Sequence, residues 1–171
     1  MATISRNWLR GQSFASTIGG VATKWLNPDE MAAWRSFVTS TGFLMRSIEK
    51  DLQPFGLDLG DYQLLVMLSE AEDNRLRMCD LADHLALTRS GLTRRMDGVL
   101  KKKLVSRVQS TDDGRVAYAQ ITPKGMELLR AAAPHHLRSV RARMIDLLTP
   151  TEVKAIGSAF RKISEHLESE Q

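Results

Sequence analysis

The chain is poor in cysteine, in aromatic residues and in long apolar runs, and each shortage excludes a class of protein. Its 171 residues include a single cysteine, Cys79, which excludes an internal disulfide and a zinc site built from several cysteines. No apolar run approaches the roughly 18 residues of a membrane-spanning helix, and the first residues lack the continuous apolar stretch of a secretory leader. We therefore expect one soluble, cytoplasmic domain whose core forms without disulfides or structural metal.

Positive charge is concentrated in one quarter of the chain. The whole chain has a net charge of only +4, whereas residues 75–115 contain ten lysines and arginines against five aspartates, a local charge of +5. Such a segment favours a polyanionic partner, although charge runs more often cover an ordinary solvated face. Charge alone therefore does not distinguish a binding surface from a solvated one.

Capping residues predict where the long helices begin. Three starts, at 27–30, 122–123 and 149–152, combine a polar cap with proline in the first turn. Apolar residues then recur at alternating steps of three and four, forming stripes over 31–52, 126–147 and 153–167. These stripes offer more apolar surface than one small domain covers, which favours a second copy of the chain. Pro134 interrupts the middle stripe and predicts a bend there.

Between the first and second of these helices lies the pattern of a helix-turn-helix followed by a hairpin. A helix over about 59–71 precedes a short helix over about 79–86, and Thr88 is placed to cap the next one. Strands are predicted at 104–108 and 115–121, around a turn rich in Asp and Gly. A hairpin directly after a helix-turn-helix is a wing. The expected fold class is therefore mainly α with a small β-wing, a winged helix-turn-helix flanked by dimerisation helices.

Two stretches of the sequence carry a resemblance to a known family. They are RMCDLADHLALTRSGLTRRMDGVLKKKLV, over the helix-turn-helix, and DDGRVAYAQITPKG, over the wing and its exit. From Leu26 to about Leu167 the chain resembles the MarR-type winged-helix transcriptional regulators. The resemblance implies a homodimer in which the first, fifth and sixth helices interlock. It also implies a repressor whose affinity for DNA is tuned by a small, commonly aromatic or phenolic ligand.

The resemblance divides the chain into four parts. Residues 1–26 form an N-terminal extension, 27–56 a dimerisation helix, 57–121 the winged helix-turn-helix DNA-binding domain and 122–171 the C-terminal dimerisation helices. The partners expected are double-stranded DNA with an inverted-repeat operator, a second copy of the chain and a small-molecule effector. No cofactor and no membrane partner are expected.

The resemblance places the DNA-reading residues at the start of the recognition helix and in the wing. They are Thr88, Arg89, Ser90, Thr93 and Arg94 for the major groove and Arg115 for the minor groove. Arginine binds guanine O6 and N7 in a bidentate manner, whereas serine and threonine contact phosphates or base edges. The chain departs from the family at Gly98 and Gly114, where arginine is common, so fewer wing contacts are expected. Asp97 matches a family aspartate that commonly braces the wing.

Four further basic residues of this helix are Arg95, Lys101, Lys102 and Lys103. Arg95 lies close to the apolar stripe, and we expect it to brace its neighbours rather than read bases. Lys101, Lys102 and Lys103 close the helix, where cations offset the negative end of its dipole. Phosphate contact explains these three lysines equally well.

The implied effector pocket lies between the dimer helices and the winged domain. Its candidate lining residues are Trp34, Phe37, Phe43, Tyr62 and Met67, each of which is more often ordinary core. Tyr62 is the strongest of them, because a buried hydroxyl needs a hydrogen-bond partner that a ligand or water supplies. His135 and His136 diverge by about 100° on a helix, so no metal site is expected.

Three alternatives to simple DNA binding are a redox-responsive regulator, a helical protein that binds other proteins, and an enzyme. Cys79 is a candidate redox switch, but it stands where the family often has a small capping residue, which is the simpler explanation. A helical protein whose winged domain binds other proteins is the second, and the outward Arg89 and Arg94 argue against it. Because the sequence has no nucleophile elbow, phosphate-binding glycine loop or HExxH motif, no enzyme is expected. The prediction is a sequence-specific DNA-binding transcriptional regulator.

Overall fold

Six helices and a three-stranded sheet make up the described part of the chain. The structure is a computed structural model, and it describes residues 24–85, 87–110 and 116–170, without the side chain of Arg89. The elements in chain order are α1 (Pro28–Leu52), α2 (Leu59–Glu70), β1 (Arg75–Arg77), α3 (Met78–His84), α4 (Arg89–Lys101), β2 (Val105–Gln109), β3 (Ala117–Ile121), α5 (Pro123–Arg143) and α6 (Pro150–Ser169). The chain divides into two compact units inside α1, the first ending at Val38 and the second beginning at Thr39. Over the described residues, none of the helices has the length and apolarity needed to cross a membrane.

The predicted capping residues begin the first and last helices. At α1, Asn27 Oδ1 accepts a hydrogen bond from the Glu30 N–H at 2.9 Å, and Glu30 Oε2 accepts one from the Asn27 N–H at 2.8 Å. The same exchange joins Thr149 and Glu152 at the start of α6. Each exchange satisfies N–H groups that a helix start leaves without an internal partner. Both predicted starts are confirmed.

The fifth helix is shorter than its apolar pattern predicts. The stripe over 126–147 predicts one continuous helix, whereas α5 ends at Arg143 and a 3-10 turn follows over Ile145–Leu147. Across this turn, Arg141 Nη2 donates to Asp146 Oδ1 at 2.5 Å. The spacing of apolar side chains indicates which face of a helix is apolar, but it does not indicate where the helix ends. The apolar pattern therefore did not predict the end of α5 at Arg143. Pro134 lies inside α5, and the bend expected there stays a prediction.

The sheet contains one strand that the sequence did not predict. Its order is β1-β3-β2, and both pairings are antiparallel. The hairpin of β2 and β3 is the predicted wing, and Ser110 N–H donates to the Val116 carbonyl at 2.9 Å beyond the last strand pair. β1 pairs with β3 and places Leu76 opposite Ala119. Three residues are too few to show an alternating pattern, which is why β1 was missed.

The core of the second unit is formed mainly by leucines from several elements. Its fully buried large side chains are Leu52, Leu64, Leu65, Leu68, Leu81, Val99 and Leu104. On α4, helical spacing predicts an inward stripe of Leu92, Met96, Val99 and Leu100; the first three are buried and Leu100 is half-buried against the core. The apolar face of α4 therefore packs on the core, and its polar face is turned outward.

A close backbone approach fixes α5 to the base of the wing. A Cβ atom at Gly125 would lie 2.1 Å from the Leu104 carbonyl oxygen, so only glycine allows the helix to come this near. Thr122, the predicted cap of α5, accepts from the Gly125 N–H at 3.0 Å and donates to the Lys103 carbonyl at 2.8 Å. The wing and the long C-terminal helix are thereby joined at one point.

Candidate nucleic-acid interface

The turn between α3 and α4 is closed by backbone bonds and one side-chain cap. Leu87 N–H donates to the Ala82 carbonyl at 2.9 Å, and Thr88 Oγ1 accepts from the Gly91 N–H at 3.1 Å. The predicted cap at Thr88 is thus confirmed. Its hydroxyl also lies 3.2 Å from Ser90 Oγ. The start of α4 therefore has a defined position relative to α3, as a recognition helix requires.

The outward face of α4 carries polar side chains at helical spacing. The exposed residues on it are Ser90, Thr93, Arg94, Asp97 and Lys101. They alternate with the buried Leu92, Met96 and Val99, so the two faces are cleanly separated. An arginine, two hydroxyls and an exposed helix of 13 residues suit the major groove of DNA, which admits one α-helix.

Two of the predicted DNA contacts lie beyond what the structure describes. The structure describes the backbone of Arg89, the first residue of α4, but not its side chain. Arg115 falls in the segment 111–115, outside the described residues, as does the predicted wing turn. Asp97 is exposed on α4, and the tip of the wing that it was expected to brace lies in that same segment, whereas the two strands of the wing are described. The roles of these three residues stay predictions.

Arg95 and Lys102 point toward α2 and not toward the outward face. Arg95 Nη1 donates to Asp61 Oδ1 at 3.0 Å and also to Asp58 Oδ1. Lys102 Nζ donates to Asp61 Oδ2 at 2.7 Å and to the Gly56 carbonyl at 2.8 Å. The expectation that Arg95 braces its neighbours is confirmed. For Lys102 the contact is a protein carboxylate, which argues against the phosphate contact considered for it.

The candidate effector residues fall in both units. In the first, the rings of Trp34 and Phe37 are 6.0 Å apart and tilted, and both side chains are exposed. In the second, Tyr62 is only 6% exposed, and its ring lies 4.5 Å from that of His136. Burial raises the pKa of the Tyr62 hydroxyl. Met67 is half-buried against the core. A role for these residues in ligand binding stays a prediction.

The two adjacent histidines contact different rings, as their helical spacing predicts. His135 packs against Phe55 at 5.0 Å, whereas His136 packs against Tyr62. His136 Nδ1 is buried with no hydrogen-bond partner among the described atoms, and burial lowers the pKa of this imidazole. In the described ranges, no three His, Cys, Asp or Glu side chains group as a metal site. Cys79 is exposed, and its Sγ donates to Asp80 Oδ1 at 3.2 Å.

Known proteins that this chain is similar to are transcriptional regulators. A sequence profile described as Transcriptional regulator SarA/Rot matches residues 46–132. AbsC, a MarR family transcriptional regulator from Streptomyces coelicolor, is 41% identical with a TM-score of 0.82, over 86% of this chain and 99% of that one. Sco3205, a MarR family regulator of the same organism solved in complex with DNA, is 35% identical with a TM-score of 0.81, over 85% of this chain and 92% of its own.

A relative of the same class comes from another organism. The HTH-type transcriptional repressor YetL of Bacillus subtilis (strain 168) is 30% identical over 112 residues, which span 64% of this chain and 67% of YetL. Both structural similarities cover at least 85% of this chain. The winged helix-turn-helix, its outward basic helix and these similarities place the chain in the MarR family of winged-helix transcriptional regulators.

Proposed function

We propose that this protein is a transcriptional repressor that binds an inverted-repeat operator as a homodimer and leaves it when a small ligand binds. The observation that carries the proposal is the outward face of α4, where Ser90, Thr93 and Arg94 are exposed on the helix that directly precedes the wing hairpin. Repression is supported by the relative YetL, which is a transcriptional repressor, and binding to duplex DNA is supported by the Sco3205 complex. Cytoplasmic location follows from this function.

Arg94 is the proposed base-reading residue of the major groove. It is exposed on the first half of α4, with Thr93 before it and Ser90 one turn earlier. The hydroxyls suit phosphate oxygens or base edges, and the guanidinium suits the paired acceptors of guanine. Arg89 and Thr88 belong to the same proposed contact, and Arg115 is its counterpart in the minor groove.

The homodimer is supported by apolar side chains that one copy of the chain leaves uncovered. On α6 these side chains are Phe160, Ile163 and Leu167, all exposed and spaced three or four residues apart. A continuous apolar stripe of this kind is typical of a helix that packs on another helix. We assign 27–56 and 122–171 to dimerisation and 57–121 to DNA binding. Two recognition helices related by a two-fold axis then require an operator with the same symmetry.

The proposed effector is a small molecule that binds between the dimer helices and the winged domain. An aromatic or phenolic compound is the first class to test, and the candidate contacts are Trp34, Phe37, Tyr62 and Met67. Tyr62 is supported by its burial and by its ring contact with His136, whose Nδ1 has no hydrogen-bond partner among the described atoms. Fluorescence of the tryptophans during titration with salicylate would report binding in their surroundings.

A gel shift against the DNA upstream of the protein's own coding region tests the function. We expect retardation of a short duplex containing an inverted repeat, with two protomers per duplex, and a steep loss of affinity as salt increases. A scrambled duplex of the same composition is the control. Equal affinity for both duplexes would contradict sequence-specific binding, and no binding to either would leave the interaction-protein alternative.

A further inference from the structure

The strongest polar cluster outside the proposed DNA-contacting face joins α2 to α4. We call the side chains of Asp58, Asp61, Arg95 and Lys102 the α2–α4 clamp. Asp61 is only 4% exposed, and its two carboxylate oxygens bind different cations, Arg95 at 3.0 Å and Lys102 at 2.7 Å. Arg95 lies on the recognition helix, and Lys102 is the C-cap residue that directly follows its last turn. A buried carboxylate shared by two cations contributes little net stability on average, so its presence calls for another explanation.

The spacing of the two cations lets the clamp restrict the orientation of the whole of α4. Arg95 and Lys102 are seven residues apart, about two turns, so they leave the helix from nearly the same side. Arg95 directly follows Arg94, the proposed base-reading residue. Holding α4 at both points restricts its tilt and its rotation about its own axis. Base reading by bidentate contacts depends on such a restriction, because it needs side chains held within about 0.5 Å.

The first turn of α2 is shaped to accept the Arg95 side chain. Asp58 caps α2 by accepting from the Asp61 N–H at 2.7 Å, and the same oxygen accepts from Arg95. A Cβ atom at Gly60 would lie 2.5 Å from Arg95 Cζ, so the guanidinium occupies the space that a side chain there would fill. Burial raises the pKa of Asp58, but the bonds from Arg95 and from the Asp61 backbone outweigh it and leave that pKa lowered.

We propose that Asp61 is a positioning residue for DNA recognition. It orients α4 through Arg95 and Lys102, and it thereby determines how well the protein distinguishes its operator from other DNA. It does not act through contacts to phosphates. The proposal rests on the proposed DNA-binding function. It implies that Arg95 and Lys102 are occupied by the protein's own carboxylates. They therefore add little to the counterion release that makes DNA binding depend on salt.

Gly60→Ala and Asp61→Asn test the clamp without altering the proposed DNA-contacting residues. Gly60→Ala displaces only the flexible end of Arg95, leaves Lys102 on the buried Asp61 carboxylate and places a better helix former in α2, so the variant should still fold. Asp61→Asn makes the chain more positive, so charge alone predicts tighter binding to every duplex. We expect binding to the operator to weaken instead. The ratio of the affinities for operator and scrambled duplex should fall about tenfold, and the dependence of binding on salt should be unchanged.

Lys102→Met, compared with Lys101→Met, separates positioning from phosphate contact. Lys101 is the adjacent exposed lysine on the outward face of α4. We expect Lys102→Met to lower the specificity ratio and keep the salt slope, and Lys101→Met to keep the ratio. Thermal melting and sedimentation of each full-length variant report folding and dimer formation separately. If Asp61→Asn fails to fold, Gly60→Ala and Lys102→Met decide the question.

Each outcome supports or overturns the clamp. It is overturned if the folded variants keep the wild-type specificity ratio, or if Lys102→Met weakens both duplexes equally and lowers the salt slope by about one. The probes are the upstream duplex that wild-type protein protects from DNase I and its scrambled counterpart. If wild-type protein binds neither, the proposed function fails, and that result is distinct from a failure of the clamp.

Discussion

Replacing Ile163 by aspartate should break the proposed dimer at the centre of the α6 stripe. Ile163 is 52% exposed in the single chain and lies between Phe160 and Leu167 on the same face. In the proposed homodimer this side chain is covered by the second copy. Aspartate would then place a charge in an apolar contact.

The size of the effect follows from the exposed fraction and from symmetry. Full burial of an isoleucine is worth about 1.5–3 kcal/mol, so covering the exposed half contributes about 1 kcal/mol per copy. Burying an uncompensated charge costs several kcal/mol more, about 3–5 kcal/mol where measured. A two-fold interface contains both copies of the substitution. Even with partial relaxation, we expect the dimer to weaken by at least about 5 kcal/mol, more than a thousandfold in Kd.

Sedimentation velocity over a range of concentrations measures this change directly. Wild-type protein should sediment as a dimer at micromolar concentration, and Ile163→Asp as a monomer with retained helical circular dichroism. Ser158→Asp is the matched control, because it adds the same charge about 140° around the helix, on the opposite face. Dimers of equal strength for both variants would refute the assignment of this stripe to the interface.

Four further predictions follow from individual residues. Arg94→Ala should cost about 1–3 kcal/mol in operator affinity and relax specificity at one base pair, whereas Lys101→Ala should weaken all duplexes alike in a filter-binding assay. Arg115→Ala should lower affinity more for operators with A·T flanks than for those with G·C flanks, since a narrow minor groove favours inserted arginine; equal binding of both flanks would argue against a DNA-contacting wing. Burial holds the pKa of His136 below its ordinary value of 6.5, so the unfolded state binds the proton more readily and stability should fall as pH drops below about 6.5. Urea unfolding at pH 7.5 and 5.5 measures this, and His136→Phe should flatten the dependence. Cys79→Ser should leave the response of DNA binding to peroxide unchanged, and a lost response would favour the redox alternative.

Local signals in the sequence predicted the elements that position the recognition helix. The caps at Asn27, Thr88, Thr122 and Thr149 involve partners three residues away, so they are visible without tertiary structure. The inward stripe of α4 follows from helical spacing alone. Its outward face, and with it the exposed positions of Ser90, Thr93 and Arg94, was predictable for the same reason.

Contacts between residues that are far apart in the sequence were harder to predict from the sequence. Arg95 was expected to brace neighbours because it borders the apolar stripe, but its partners Asp58 and Asp61 lie more than thirty residues earlier. Lys102 was indistinguishable from Lys101 and Lys103 in sequence, and only the folded chain directs it to Asp61. β1 exists because β3 offers an edge to pair with, and its three residues carry no periodic signal of their own.

Footprinting of the full-length protein on its own upstream DNA tests the central claim most directly. The account predicts two protected half-sites related by a two-fold axis, with centres about 10 base pairs apart on one face of the duplex, and their loss in Arg94→Ala. The wild-type pattern should appear at a ratio of two protomers to one duplex. Protection of a single asymmetric half-site by one protomer, or a pattern that Arg94→Ala leaves intact, would contradict the account.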